Sequence, residues 1–91
     1  MAYYVYMLLT KRKGKAISYV GYTSNLEKRL NKHNNNEGAK FTKGSSWQLI
    51  YFKKYKDKKI AMRDEYKLKK DYKLRLKLKR NYINKWKKIY L

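Results

Sequence analysis

A chain of 91 residues is long enough for one hydrophobic core but not for two, so a single domain over residues 1–91 is expected. Its 26 Lys and Arg face only 6 Asp and Glu, a formal net charge of +20, so most cations lack an internal partner and suit a polyanion. A hydrophobic share of 43% argues against a disordered tail, and the absence of Cys excludes disulfides and thiolate metal sites.

Residues 3–9 (YYVYMLL) form a β-branched and aromatic run of strand length. Lys11 to Lys15 reads as a turn in which Gly14 takes a positive φ, and a second strand follows at Ile17 to Tyr22, giving an antiparallel hairpin. Thr23 or Ser24 offers an N-cap, with Glu27 three residues after Ser24 as in a capping box, opening a helix from about Asn25 to Asn34. Leu26 and Leu30 share its buried face. Residues Asn34 to Ser46 are rich in Asn, Gly and Ser and predict an exposed loop. Trp47 to Tyr55 (WQLIYFKKY) is the third strand.

From Lys58 the pattern turns helical, with Ile60, Ala61, Glu65 and Leu68 at helical spacing. In the last segment Leu74, Leu76 and Leu78 alternate as in a strand, whereas Leu74, Leu78, Tyr82 and Trp86 recur every four residues. Helix is favoured there, because Lys, Leu and Arg are good helix formers and no turn residue interrupts. The expected fold is α+β: a three-stranded, mostly antiparallel sheet flanked by helices in the order β-β-α-β-α-α, ending in a basic helix over about 74–90. No apolar run approaches the ~20 residues of a membrane span, and no secretory pattern stands near Met1, so a cytoplasmic protein is expected.

Few residues could carry chemistry. Tyr6 and Tyr19 fall in the two strands expected to pair, where their phenols would meet at one edge of the sheet. Hydrolysing a phosphodiester requires an acceptor for a proton from water. A phenol can serve if cations lower its pKa from ~10; otherwise both are structural strand tyrosines. Arg29 follows Leu26 by three residues at the border of the buried face, and its planar fork suits a phosphate. His33 is one turn further on the same face, able to donate to a phosphate or protonate a leaving oxygen, unless it is simply a partly exposed helix-end histidine.

Glu65 lies on the apolar side of its helix, where a carboxylate needs an arginine, a lysine or a divalent cation. A salt bridge to Arg29 is the plainer choice, and a Mg²⁺ or Mn²⁺ ligand the sharper one. In the loop, Lys40, Thr42 and Lys43 are candidate contacts to a nucleic-acid backbone.

Together these positions resemble the GIY-YIG nuclease family, in its small stand-alone bacterial branch. Tyr4-Val5-Tyr6 stands at the first signature and Tyr19-Val20-Gly21 matches the second. Arg29, His33, Glu65 and the Gly38-Ala39-Lys40 stretch follow in order, so the likeness covers about residues 3–78. The resemblance implies a metal-dependent endonuclease cleaving DNA through a single Mg²⁺ or Mn²⁺ ion. Glu65 would hold the metal, Arg29 would bind the scissile phosphate, and Tyr6 and Tyr19 would position or deprotonate the attacking water. Lys40 would assist by lowering a phenol pKa. Tyr4 departs from the glycine that usually opens the first signature.

With no recognition module in the chain, selection by DNA structure, branched or damaged, is expected rather than base readout, and RNA stays open as a substrate. A monomer is expected, with no membrane role and with a protein partner to supply specificity. The alternative is a non-catalytic, basic nucleic-acid-binding module of the same fold.

Overall fold

The structure, a computed structural model, describes residues 1–90, with side chains to Lys85. Strand β1 (Tyr3–Arg12) lies at the centre of a three-stranded antiparallel sheet of order β2-β1-β3, flanked by β2 (Lys15–Thr23) and β3 (Gln48–Tyr55). Helix α1 (Leu26–Asn34) follows β2, a single 3-10 turn (Lys40–Thr42) sits in the long loop, and α2 (Lys58–Lys70) and α3 (Tyr72–Tyr90) close the chain. This is the α+β arrangement and element order expected from the sequence.

The central strand explains why the first run reads as continuously apolar rather than alternating. Val5, Tyr6, Met7 and Leu8 are all buried, because β1 is paired on both edges and covered on both faces. Val5 and Met7 pack with Val20, Ala61 and Leu68 on the α2 side. Tyr6 and Leu8 pack with Trp47, Leu26 and Leu30 on the α1 side. The β1–β3 register skips at Met7/Leu8, inserting one extra residue into β3. That bulge lets Ile50 and Tyr51 both join the α2-side cluster, while Leu49 joins the other.

Both hairpin strands run longer than expected, meeting at Arg12↔Lys15 across a two-residue loop. Lys13 (φ 50°) and Gly14 (φ 79°) are both left-handed there, as a tight primed turn requires. The capping box does not form. Asn25 is the N-cap of α1, its side chain accepting from Lys28 N at 3.1 Å, and Thr23 instead accepts from Asn25 N. Asp57 caps α2 by accepting from Lys59 N and Ile60 N.

Asp71 ends α2 and starts α3, its carboxylate accepting from Leu74 N at 3.0 Å, so one residue turns the chain where the sequence shows no Gly or Pro. On α3 the inward residues are Leu78, packed on the α2-side core, and Tyr82, which donates to Gln48 Oε1 at 2.6 Å. Leu74, expected on the same stripe, is 41% exposed, and the side chain of Trp86 lies outside the described residues.

Candidate active site

Tyr6 pairs with Gly21 across the β1–β2 ladder, and Leu8 pairs with Tyr19. Residues directly opposite share a face, so Tyr6 and Tyr19 are diagonal neighbours on the α1 side of the sheet. The Tyr6 ring lies over Gly21, where an added Cβ would fall 2.5 Å from the phenol oxygen. The glycine of the second signature is therefore a steric requirement of the tyrosine in the first.

His33, from α1, packs against both phenol rings. It is fully buried, with Nε2 2.8 Å from the Tyr6 oxygen and Nδ1 2.9 Å from Thr42 Oγ1. Thr42 has one hydroxyl proton, which it donates to Ala39 O at 2.8 Å. It must therefore accept from His33 Nδ1–H. A neutral imidazole then offers its lone pair at Nε2, and Tyr6 O–H donates to it. Burial, reinforced by the positive charge of Arg29, holds the His33 pKa below its usual value, which keeps the ring neutral. The hydrogen-bond chain runs Tyr6 → His33 → Thr42 → Ala39, with every proton placed. Gly38 leaves room for it, since a Cβ there would stand 3.0 Å from His33 Cα.

Two expectations are corrected at this point. His33 is neither partly exposed nor able to reach a phosphate, because it sits beneath Tyr6 and Tyr19, whose ring centroid lies 5.0 Å away. Thr42 is likewise fully buried, its hydroxyl committed to His33 and Ala39, so it offers nothing to a nucleic-acid backbone. Lys40, which opens the 3-10 turn, and Lys43, which follows it, are exposed.

Arg29 projects from the middle of α1 toward both phenols. The Tyr6 hydroxyl is the main influence raising its pKa, opposed by burial and supported by Tyr19. In turn, burial raises the Tyr6 pKa above its usual value, and Arg29 pulls it back. The sequence suggested phenols lowered by surrounding lysines. For Tyr6 the reverse holds, because a ring 1% exposed loses more from desolvation than the neighbouring guanidinium restores. Beside Arg29, a hollow of about 380 Å³ is lined by Thr23, Asn25, Lys28 and Lys32.

Glu65 lies within electrostatic reach of this cluster, its charge being the smallest of the influences that raise the Tyr6 pKa. Its side chain is 14% exposed and pairs with Lys69 Nζ at 2.9 Å, one helical turn on. The partner is thus a lysine of its own helix rather than Arg29. Asp64, next in sequence, points away and accepts from Tyr55 O–H at 2.8 Å. No group of three or more His, Asp or Glu that could hold a metal occurs among the described residues. A lone, partly exposed carboxylate still fits a hard divalent ion that keeps its waters and takes oxygens from a substrate phosphate.

The sequence reading missed the anchoring of the loop after α1. Arg12 donates to Ser45 Oγ and to Phe41 O, both at 2.6 Å, and its guanidinium lies over the rings of Phe41 and Trp47. Asn34 holds the far end of the loop, accepting from Trp47 N at 2.6 Å. Phe41 stacks on Tyr19 with centroids 6.3 Å apart. A lone arginine in a run of turn residues gave no sign of this role.

Comparisons with known proteins bear on what this cluster is. The family model of the GIY-YIG catalytic domain matches residues 2–81. The UPF0213 protein OB0043 of Oceanobacillus iheyensis is 41% identical over 68 residues, covering 74% of this chain and 76% of that protein. The UPF0213 protein CPE1444 of Clostridium perfringens is 46% identical over 68 residues, covering 74% of this chain and 70% of that protein. The solution NMR structure of the UPF0213 protein BH0048 from Bacillus halodurans is 34% identical, with a TM-score of 0.49, covering 86% of this chain and 82% of that one. No described helix is long and apolar enough to cross a membrane. With tyrosine motifs, helix arginine and helix glutamate in order, and the domain model matched over most of its length, the chain belongs to the GIY-YIG nuclease family.

Proposed function

We propose that this protein is a metal-dependent endonuclease that hydrolyses DNA phosphodiester bonds, with Tyr6 as the proton acceptor for the attacking water. The observation that carries this reading is the oriented chain from Tyr6 through His33 to Thr42. It directs the phenol proton to Nε2, so the oxygen, beside Arg29, can take up a proton as it gives its own away.

As Tyr6 takes a proton from water, it passes its own to His33. The water oxygen then bonds to phosphorus, the opposite P–O bond breaks, and the leaving oxygen takes a proton from solvent. A buried neutral imidazole is a weak base while Arg29 stands unopposed. A phosphate seated against Arg29 cancels that charge, so substrate binding itself raises the basicity of the relay. Arg29 neutralises charge on the non-bridging oxygens, and Lys28 and Lys32 extend the same basic wall. Tyr19, held against His33 and Phe41, fixes the second side of the water site.

Glu65 is the residue that would hold the cofactor, a single Mg²⁺ or Mn²⁺, whose chemistry is neutralisation of charge at the phosphate and leaving oxygen. Lys40 and Lys43 provide backbone contacts from the exposed loop. The chain acts as one domain, in the cytoplasm.

One observation favours the non-catalytic alternative: Glu65 is already paired with Lys69. Lys69 is half-exposed and reaches Glu65 as a single charge on a flexible stem, so a divalent ion can take its place. A nicking assay on duplex and branched DNA with Mn²⁺ or EDTA decides between the two. Metal-dependent nicking that is lost in Arg29→Ala supports the enzyme. Tight, salt-sensitive binding without nicking supports the module.

A further inference from the structure

We infer that Phe52 is a stacking platform for one unpaired nucleobase next to the scissile phosphate, so that the substrate is DNA with a single-stranded nucleotide at the cut. This inference rests on the nuclease reading and specifies its substrate class. Phe52 pairs directly with Tyr6 across the β1–β3 ladder, so it sits on the same face of the sheet, one strand from the candidate base. That strand is the sheet's edge, which α1 does not cover, and the ring is 53% exposed. Among the described residues its one aromatic contact is with Tyr4, centroids 6.1 Å apart and planes at 63°, which steadies the ring while about half of the residue stays exposed.

Lys53 and Lys54 follow it, both exposed, and Lys54 pairs with Tyr4 on the same face. An exposed ring beside Lys54, on the face of the sheet that carries Tyr6, matches a base joined to its phosphate rather than an apolar protein surface. A base inside a duplex shows only its edges in the grooves. Only a flap, bubble, end or single strand brings a free base face to Phe52.

The test is binding of the full chain, in EDTA so that nothing is cleaved, to a labelled single-stranded oligonucleotide and to the matching duplex. Phe52→Ala is expected to lower single-strand affinity about tenfold and duplex affinity less than twofold. Phe52→Trp is expected to retain single-strand affinity. Abasic substitutions stepped along the oligonucleotide should identify one position whose loss weakens the wild type about tenfold and Phe52→Ala less than twofold, as coupled groups do. Phe52→Leu, which keeps apolar bulk on the strand, should lose the same single-strand preference with an unchanged melting temperature.

Equal losses on both substrates, unchanged affinity, or no coupled position would overturn the platform. Cleavage by the wild type, measured separately with Mn²⁺, tells that outcome apart from failure of the nuclease reading itself.

Discussion

Tyr6 fills the space over Gly21 and donates its proton to His33, so packing and proposed chemistry meet in one side chain. Tyr6→Phe should keep the ring and lose the relay, lowering nicking at least 100-fold in steady-state assays. It also leaves His33 Nε2 buried without a donor, at a cost of about 1–3 kcal/mol in urea unfolding. Gly21→Ala tests the steric half: with a Cβ 2.5 Å from the phenol oxygen, it should destabilise by about 1–3 kcal/mol, read as a lower denaturation midpoint.

The titrating groups define two stability limbs. His33 has a folded pKa below its unfolded value, so the unfolded chain binds the extra proton first and stability is lost as pH falls below ~6.5. Tyr55 is pushed up to about 12 by burial and by its hydrogen bond to Asp64, so the folded chain holds its proton longer. Its contribution is complete below pH ~10 and is lost as pH rises toward about 12. Thermal melts across pH should show both limbs, and Tyr55→Phe should flatten the alkaline one.

At the level of elements, the site is assembled by β1, β2, α1 and the long loop, with α2 supplying Glu65 alone. That division bears on what the sequence disclosed. The two strands were legible because β-branched and aromatic residues cluster there. The shared face of Tyr6 and Tyr19 follows from hairpin pairing, and Glu65 stood out as a carboxylate on an apolar stripe. The buried roles of His33 and Thr42 were not legible, because a loop rich in Asn, Gly and Ser gives no periodic signal that it folds back over α1. Arg12 pins that loop from a hairpin end, a contact between residues about thirty positions apart that no local pattern encodes. The division into α2 and α3 was expected from the sequence but its cause was not, since Asp71 makes the break with a side-chain cap alone. On α2 itself, Lys69→Ala should free Glu65 and reduce the Mn²⁺ concentration for half-maximal nicking two- to fivefold. An unchanged metal requirement would mean that Glu65 is not the ligand.

For the molecule as a whole, charge and chemistry separate cleanly. Only two ion pairs, Arg63–Asp64 and Lys69–Glu65, occur among the described residues, so most of the described cations have no acidic partner. Attraction to phosphate belongs to that whole surface and should fall with salt at a slope of about −0.9 per phosphate neutralised on duplex DNA. The proposed hydrolysis rests on a handful of residues on one face. The most direct test therefore measures DNA binding and Mn²⁺-dependent nicking in parallel for the wild type and Glu65→Gln. The account predicts nicking reduced at least 100-fold with affinity unchanged or slightly higher, because an acid has been removed from a basic surface. Nicking that survives in Glu65→Gln at the wild-type rate would contradict it.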